Sequence, residues 1–147
     1  MKQKNFSILV WAIVIMLLQS CSKGGTSFDD GSGGPPHVET PNDIIAPEIT
    51  IATPVTNQVF SNGNVISITG KITDDYGLYR GTIRVTNDAT GMIVMNQAYE
   101  IHGLVLYNFT INHTAAVTGT TDYTVTVSFE DHGLNTTTKS VKVKVNP

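Results

Sequence analysis

The chain has 147 residues, nine Lys and Arg against twelve Asp and Glu, and a formal charge of −3. A mildly acidic chain without a basic run lacks the electrostatic footprint that nucleic-acid phosphates require. A single cysteine excludes an intramolecular disulfide,, and the length suits one ordinary domain.

Residues 1–5, MKQKN, carry Lys2 and Lys4, and residues 6–18, FSILVWAIVIMLL, are almost wholly apolar. A positive start, a short apolar core and small residues after it make a secretory signal peptide over 1–20. The apolar run is shorter than the roughly 20 residues that span a bilayer. Leu18-Gln19-Ser20-Cys21 resembles the bacterial lipoprotein box, in which Cys21 becomes the N-terminus and carries lipid. Two or three acyl chains hold a protein firmly to a membrane where one does not. A catalytic thiol would need a structured, electropositive pocket, and Cys21 stands between a leader and a polar tail. Cleavage before Cys21 removes Lys2, Lys4 and the only tryptophan, Trp11, leaving seven basic against twelve acidic side chains, a charge of −5.

Residues 22–47 hold five Gly, four Pro and one aromatic, Phe28. Such a composition buries too little apolar area to offset its ordering entropy, so 21–47 reads as the lipidated Cys and a flexible tether. A coil of that length spreads about 25–30 Å on average. Asp29 and Asp30 resemble, at a greater distance from the Cys, the acidic export signal of Bacteroidetes surface lipoproteins, and read equally as solvated linker charge.

From residue 48 the apolar period is two, the signature of strands with one buried and one wet face. EITIA (48–52) opens the domain. VISITGKIT (65–73) sets Ile66, Ile68 and Ile72 against Ser67, Thr69 and Lys71. YRGTIRVTN (79–87) sets Tyr79, Ile83 and Val85 against Arg80, Thr82, Arg84 and Thr86. MIVMNQAY (92–99) follows. LVLYNFTIN (104–112) aligns Val105, Tyr107, Phe109 and Ile111; YTVTVSFE (123–130) aligns Tyr123, Val125, Val127 and Phe129; SVKVKV (140–145) aligns Val141, Val143 and Val145. Turn signals separate these runs, at Asn62-Gly63, Asp75-Tyr76-Gly77, Asn87 to Gly91, His102-Gly103 and Gly133,. About seven strands at this spacing predict an all-β antiparallel sandwich over 48–147.

DIIAPEITI (43–51), ITDDYGL (72–78) and YTVTVSFEDHGLNTT (123–137) resemble the immunoglobulin-like domains of bacterial cell-surface proteins. The chain is also similar to small Bacteroidetes surface lipoproteins that carry one such domain. The resemblance implies an immunoglobulin-like sandwich, with Tyr123 as the corner tyrosine before the penultimate strand. The closing motif here reads Gly133-Leu134-Asn135, where the family has adjacent Gly-Asn, which leaves the last loop's geometry open. The domain also lacks the buried Trp and the disulfide of antibody domains.

In such a sandwich the incoming segment, the loop after the second strand and the loop before the last strand share one end. That gathers Asp43, Glu48, Asp74, Asp75, Glu130 and Asp131. Ca²⁺ takes six to eight hard oxygens, and the resemblance implies calcium at the Asp positions, with Asp43, Asp74, Asp75 and Asp131 as candidate ligands. The competing reading is that Asp favours turns and its charge is solvated. A calcium site in an exported module would be weak, about 10⁻⁴–10⁻³ M, and would stiffen the tether–domain junction.

His37, His102, His113 and His132 show no zinc spacing, and read as surface residues. No G-x-S-x-G elbow, P-loop or strand-linked G-x-G-x-x-G occurs,, so no catalytic residue is assigned. The rows Arg80, Thr82, Arg84, Thr86 and Thr124, Thr126, Ser128 read as a wet outer face open to protein or glycan. Tyr76, Tyr79, Tyr99 and Tyr107 would stack on sugars if exposed. Three Asn-x-Thr triplets, at Asn108, Asn112 and Asn135, read as chance in a bacterial chain. The expectation is a non-catalytic lipoprotein of the outer membrane, facing the periplasm or the outside. It would serve as an interaction or adhesion module for a surface protein, as a glycan-binding accessory of nutrient uptake, or as an envelope spacer. The anchor makes the membrane a partner, and nucleic acid is excluded.

Overall fold

A computed structural model describes residues 39–147; the expected signal peptide, Cys21, most of the expected tether and His37 lie outside the described residues. Within them are eight strands and no helix. These are β1 (Glu48–Thr53), β2 (Gln58–Ser61), β3 (Val65–Thr73), β4 (Leu78–Asn87), β5 (Ile93–Glu100), β6 (Leu106–Thr114), β7 (Thr121–Asp131) and β8 (Thr136–Asn146). They form two sheets, ordered β1-β3-β6 and β2-β8-β7-β4-β5. Lettered in the immunoglobulin manner the sheets read A-B-E and A′-G-F-C-C′, which is an immunoglobulin-like sandwich.

The alternation carries through to the core. Ile66, Ile68 and Ile72 of β3, Ile83 and Val85 of β4, Val125, Val127 and Phe129 of β7, and Val145 of β8 are all fully buried. The outward residues of β4, β7 and β8 bond across strands. Arg80 pairs with Glu130 at 3.1 Å, Arg84 Nε donates to Asn96, and the hydroxyls of Ser128 and Thr138 lie 2.8 Å apart. The outer face therefore satisfies much of its own polarity.

Each sheet holds one inward glycine opposite a phenylalanine. Gly70 pairs with Phe109 across β3 and β6, and Gly81 with Phe129 across β4 and β7. A Cβ on Gly81 would overlap the Phe129 ring, and one on Gly70 would overlap both the Phe109 ring and the Thr50 carbonyl. Each ring thus fills the space that its glycine leaves, the cross-strand rescue that keeps a strand glycine packed.

Three expectations shift. β2 is an eighth strand; at four residues it is too short to show alternation, and it pairs in parallel with β8. Val105 does not face the core but is half exposed, because β6 begins at Leu106 and the Val105 carbonyl accepts from Asp74 N of the β3–β4 loop. The domain also begins before residue 48. Thr40 N donates to the His132 carbonyl at 2.9 Å, and Asp43 is only 4% exposed, so Thr40 and Asp43, expected in the tether, are held against the sandwich.

Gly81→Ala is expected to cost about 1–3 kcal/mol by overpacking. Gly70→Ala should cost more, since the Thr50 backbone cannot swing aside as a ring can. Urea midpoints of the two variants check both, and a Phe129→Leu partner change should return part of the Gly81→Ala loss.

Candidate metal centre at one end of the sandwich

Three segments meet at this end: the incoming residues 39–47, the β3–β4 loop and the β7–β8 loop. The first is shaped by a turn, Thr40-Pro41-Asn42-Asp43, closed by Asp43 N donating to the Thr40 carbonyl at 2.9 Å; Pro in the second position presets such a turn. The β3–β4 loop is an Asx turn: Asp74 Oδ2 accepts from Tyr76 N at 3.1 Å and Gly77 N at 2.6 Å,.

The β7–β8 loop clasps both of the others. Asp131 is fully buried. Its Oδ1 accepts from Asn135 N at 2.9 Å and its Oδ2 from Asn135 Nδ2 at 3.0 Å. Asn135 Nδ2 also donates to the Asp43 carbonyl at 3.1 Å. A Cβ on Gly133 would come within 2.7 Å of that carbonyl oxygen, so only glycine lets the incoming strand lie so close. The turn that Gly133-Leu134-Asn135 makes is completed by Leu134 at φ 65°, a left-handed position for the inserted residue. His132 N donates to the Gly77 carbonyl at 3.1 Å, which ties this loop to the Asx turn.

The clasp brings Asp43, Asp74 and Asp75 together. One oxygen of each lies within 4.8 Å of the others. Asp43 Oδ2 and Asp74 Oδ1 are buried with no hydrogen-bond partner, although Asp43 Oδ1 accepts from Ile45 N. Buried carboxylate oxygens without partners are costly. Burial pushes the Asp74 carboxyl above its ordinary value, and the Asp131 and Asp43 charges add to that push; the Gly77 and Tyr76 amides oppose it. The far end of the sandwich is the contrast. There Asp88 accepts from Thr124 and Lys142, and these outweigh burial and hold its carboxyl below its ordinary value. The four ion pairs among the described residues involve Glu130, Glu100, Asp88 and Asp122, so none involves Asp43, Asp74 or Asp75. A hard divalent cation would complete this donor set; orphaned oxygens and unbalanced charge are what a Ca²⁺ ligand set presents to an ion.

The other expected residues divide. Asp131 is not one of those three; its two oxygens accept from Asn135 N and Nδ2 and so hold the loop. Glu48 is exposed at the start of β1, and Glu130 is paired with Arg80. Tyr123 is buried at the start of β7, edge-on to His113 at 6.4 Å. The described histidines are not simple surface residues. His102 and His132 are half-buried and lie 4.9 and 5.3 Å from the Tyr79 ring. Burial lowers the His113 pKa below its ordinary value. The tyrosines make no platform: Tyr79 is buried, and of the four only Tyr76 is exposed. Asn135, which sequence reasoning passed over as part of a chance triplet, is the residue that joins the incoming segment to Asp131. Its signal was the departure of the last loop from the family pattern.

No family model matches the chain, and no curated protein matches it significantly. Among solved structures it is similar to the CARDB domain of a Pyrococcus furiosus protein, solved in complex with di-metal ions, at 17% identity over 69% of this chain and 93% of that one, with a TM-score of 0.38. The immunoglobulin-like assignment rests on this chain's own strand order.

Two outcomes follow from this geometry. Asn135→Ala removes two side-chain hydrogen bonds, one to a buried carboxylate, and is expected to cost about 2–3 kcal/mol in urea unfolding. Asp74 binds its proton more tightly folded than unfolded, so without metal its charge lowers stability as pH rises through the folded pKa, and that loss is absent below the unfolded value. Asp74→Asn keeps one oxygen to accept from the loop amides. In chelator its melting midpoint should exceed wild type at neutral pH, and the gap should close below about pH 4.

Proposed function

We propose that this protein is a non-catalytic, lipid-anchored interaction or adhesion module whose loop end is set by calcium. The observation that carries the reading is the pair of buried, unpartnered oxygens, Asp43 Oδ2 and Asp74 Oδ1, at the place where the chain joins the sandwich. Asp43, Asp74 and Asp75 supply carboxylate oxygens; Asp131 and Asn135 hold the loops that present them. A cation here would lock the incoming segment onto the β3–β4 loop and so limit the swing of the domain on its tether. Cys21, at the end of the signal peptide, is the lipid attachment point, and the outer membrane is the expected location.

A protein partner is favoured over the alternatives. Ile44, Ile45, Tyr76, Val105 and Leu134 are exposed on the loops of the acidic end, an apolar set that a polar envelope spacer would not need. A glycan-binding role lacks its stacking platform, because Tyr79 is buried and Tyr99 packs against Tyr107 at 5.7 Å.

Thermal melts test the metal. At a dissociation constant of about 10⁻⁴ M, about 5 mM calcium should stabilise the protein by roughly 2 kcal/mol over chelator. Asp43→Asn should abolish that shift. An identical midpoint with calcium and with chelator would remove the metal from the proposal. The anchor is tested separately: Cys21→Ala should lose palmitate labelling and leave the membrane fraction, and a variant that still labels would refute lipidation at Cys21.

A further inference from the structure

The two sheets have four edge strands, and three are guarded. β1 has six residues and a bulge between Ile51 and Thr53, with Pro47 and Pro54 at its flanks. β2 has four residues. β5 carries a bulge, with Val85 opposite Met95 and Thr86 opposite Ile93, and ends at Glu100. Short length, bulges, prolines and charges are how sheet edges avoid pairing with other chains. β6 has none of these. It runs nine residues in unbroken register with β3, from Leu106 to Thr114, and contains no Pro, Lys, Arg, Asp or Glu. Among the described residues no strand covers its outer edge.

The side-chain classes of β6 are also mirrored about its centre in three of four pairs. About Thr110, Phe109 mirrors Ile111, Asn108 mirrors Asn112, Tyr107 mirrors His113 and Leu106 mirrors Thr114. Two of the Asn-x-Thr triplets are pieces of this pattern. In an antiparallel pair related by a twofold axis at Thr110, Phe109 would face Ile111, Asn would face Asn and Tyr107 would face His113, with Leu106 opposite Thr114 at the ends. Such cross-strand matches stabilise a sheet, and like charges opposite one another would not. The inward side chains fit as well. Phe109 is buried, whereas Tyr107, Ile111 and His113 are only half-buried, as expected where a neighbouring strand is missing. A twofold interface requires a self-complementary patch, and β6 is one.

We propose that two copies of this chain pair through β6, antiparallel about Thr110, joining the three-stranded sheets into one of six strands. The pairing does not depend on the cation at the loop end, and it supplies a partner by strand addition. One strand pair makes a small interface, so association should appear at roughly 10–500 µM rather than at nanomolar protein.

Register-specific crosslinking tests it, on the full chain in detergent with Cys21→Ser so that no native thiol interferes. Directly opposed residues in an antiparallel pair have Cα atoms about 4.5–5.5 Å apart, within disulfide range. Thr110→Cys should form a covalent dimer under mild oxidation. Asn108→Cys alone should not, because it faces position 112, while Asn108→Cys with Asn112→Cys should. Sedimentation of the chain without added cysteines should show a monomer–dimer equilibrium that Thr110→Lys weakens at least tenfold, with an unchanged melt as the folding control. A monomer throughout the concentration range, a dimer indifferent to Thr110→Lys, or equal crosslinking at 108 and 110 would each overturn the proposal. Should Thr110→Cys fail to fold, the double variant carries the same test.

Discussion

Two phenylalanine rings seated over two glycines set the interior of this domain. Phe109 lies over Gly70 in one sheet and Phe129 over Gly81 in the other. Interiors are close-packed, so a ring that occupies the space of a missing Cβ fixes both the register of its strand pair and what the opposite sheet meets. Phe129 then lies 5.7 Å from Tyr99 and 6.5 Å from Tyr107. The ring of β7 thus reaches the edge strands of both sheets, β5 and β6, and closes the side of the sandwich between them.

With the strands held in register, their ends are held too. The β3–β4 and β7–β8 loops are brought to the same end as the incoming segment, and Asn135 fastens them. That clasp explains why Asp43, Asp74 and Asp131 lie close enough to raise the Asp74 carboxyl. Asp131 is satisfied by Asn135, yet its negative charge stays beside Asp74 and Asp43. At the opposite end a lysine from β8 offsets Asp88. No ion pair among the described residues involves Asp43, Asp74 or Asp75, and Asp43 and Asp74 each keep one oxygen without a partner. An acid whose burial favours its neutral form is also one that a cation would hold ionised. Protonation and metal binding are therefore competing ways to relieve one strain.

The same register that buries Phe109 leaves the outer edge of β6 bare. An immunoglobulin-like domain with a further strand beyond E would cover it. Here the chain passes from β5 to β6 through a short loop, so E becomes an edge. An uncharged edge of nine residues is a hazard unless it has a use, and its mirrored sequence points to self-pairing. The loop end and the sheet edge lie on different elements, so stiffening one leaves the other free to pair.

Much of the fold was legible in the sequence. Ile66, Ile68 and Ile72, Ile83 and Val85, and Tyr123, Val125, Val127 and Phe129 recur with the period of two of a half-buried strand, and each faces inward as that period requires. The acidic end was legible in outline, since the strand order brings those three segments together. β2 was not, because four residues carry no period. The bound state of residues 39–47 was not either, since a Pro- and Asp-rich stretch has the same composition whether it is solvated or clasped. Asp131 and Asp43 have the same chemistry on paper. Only the tertiary structure made one a satisfied support and the other a partly orphaned carboxylate, because hydrogen-bond geometry depends on where Asn135 falls in space. The sequence by itself determined the strands, their buried faces and the mirrored pattern of β6. The tertiary structure decided which oxygens stay unpaired and which edge stays open, since both depend on what other segments cover.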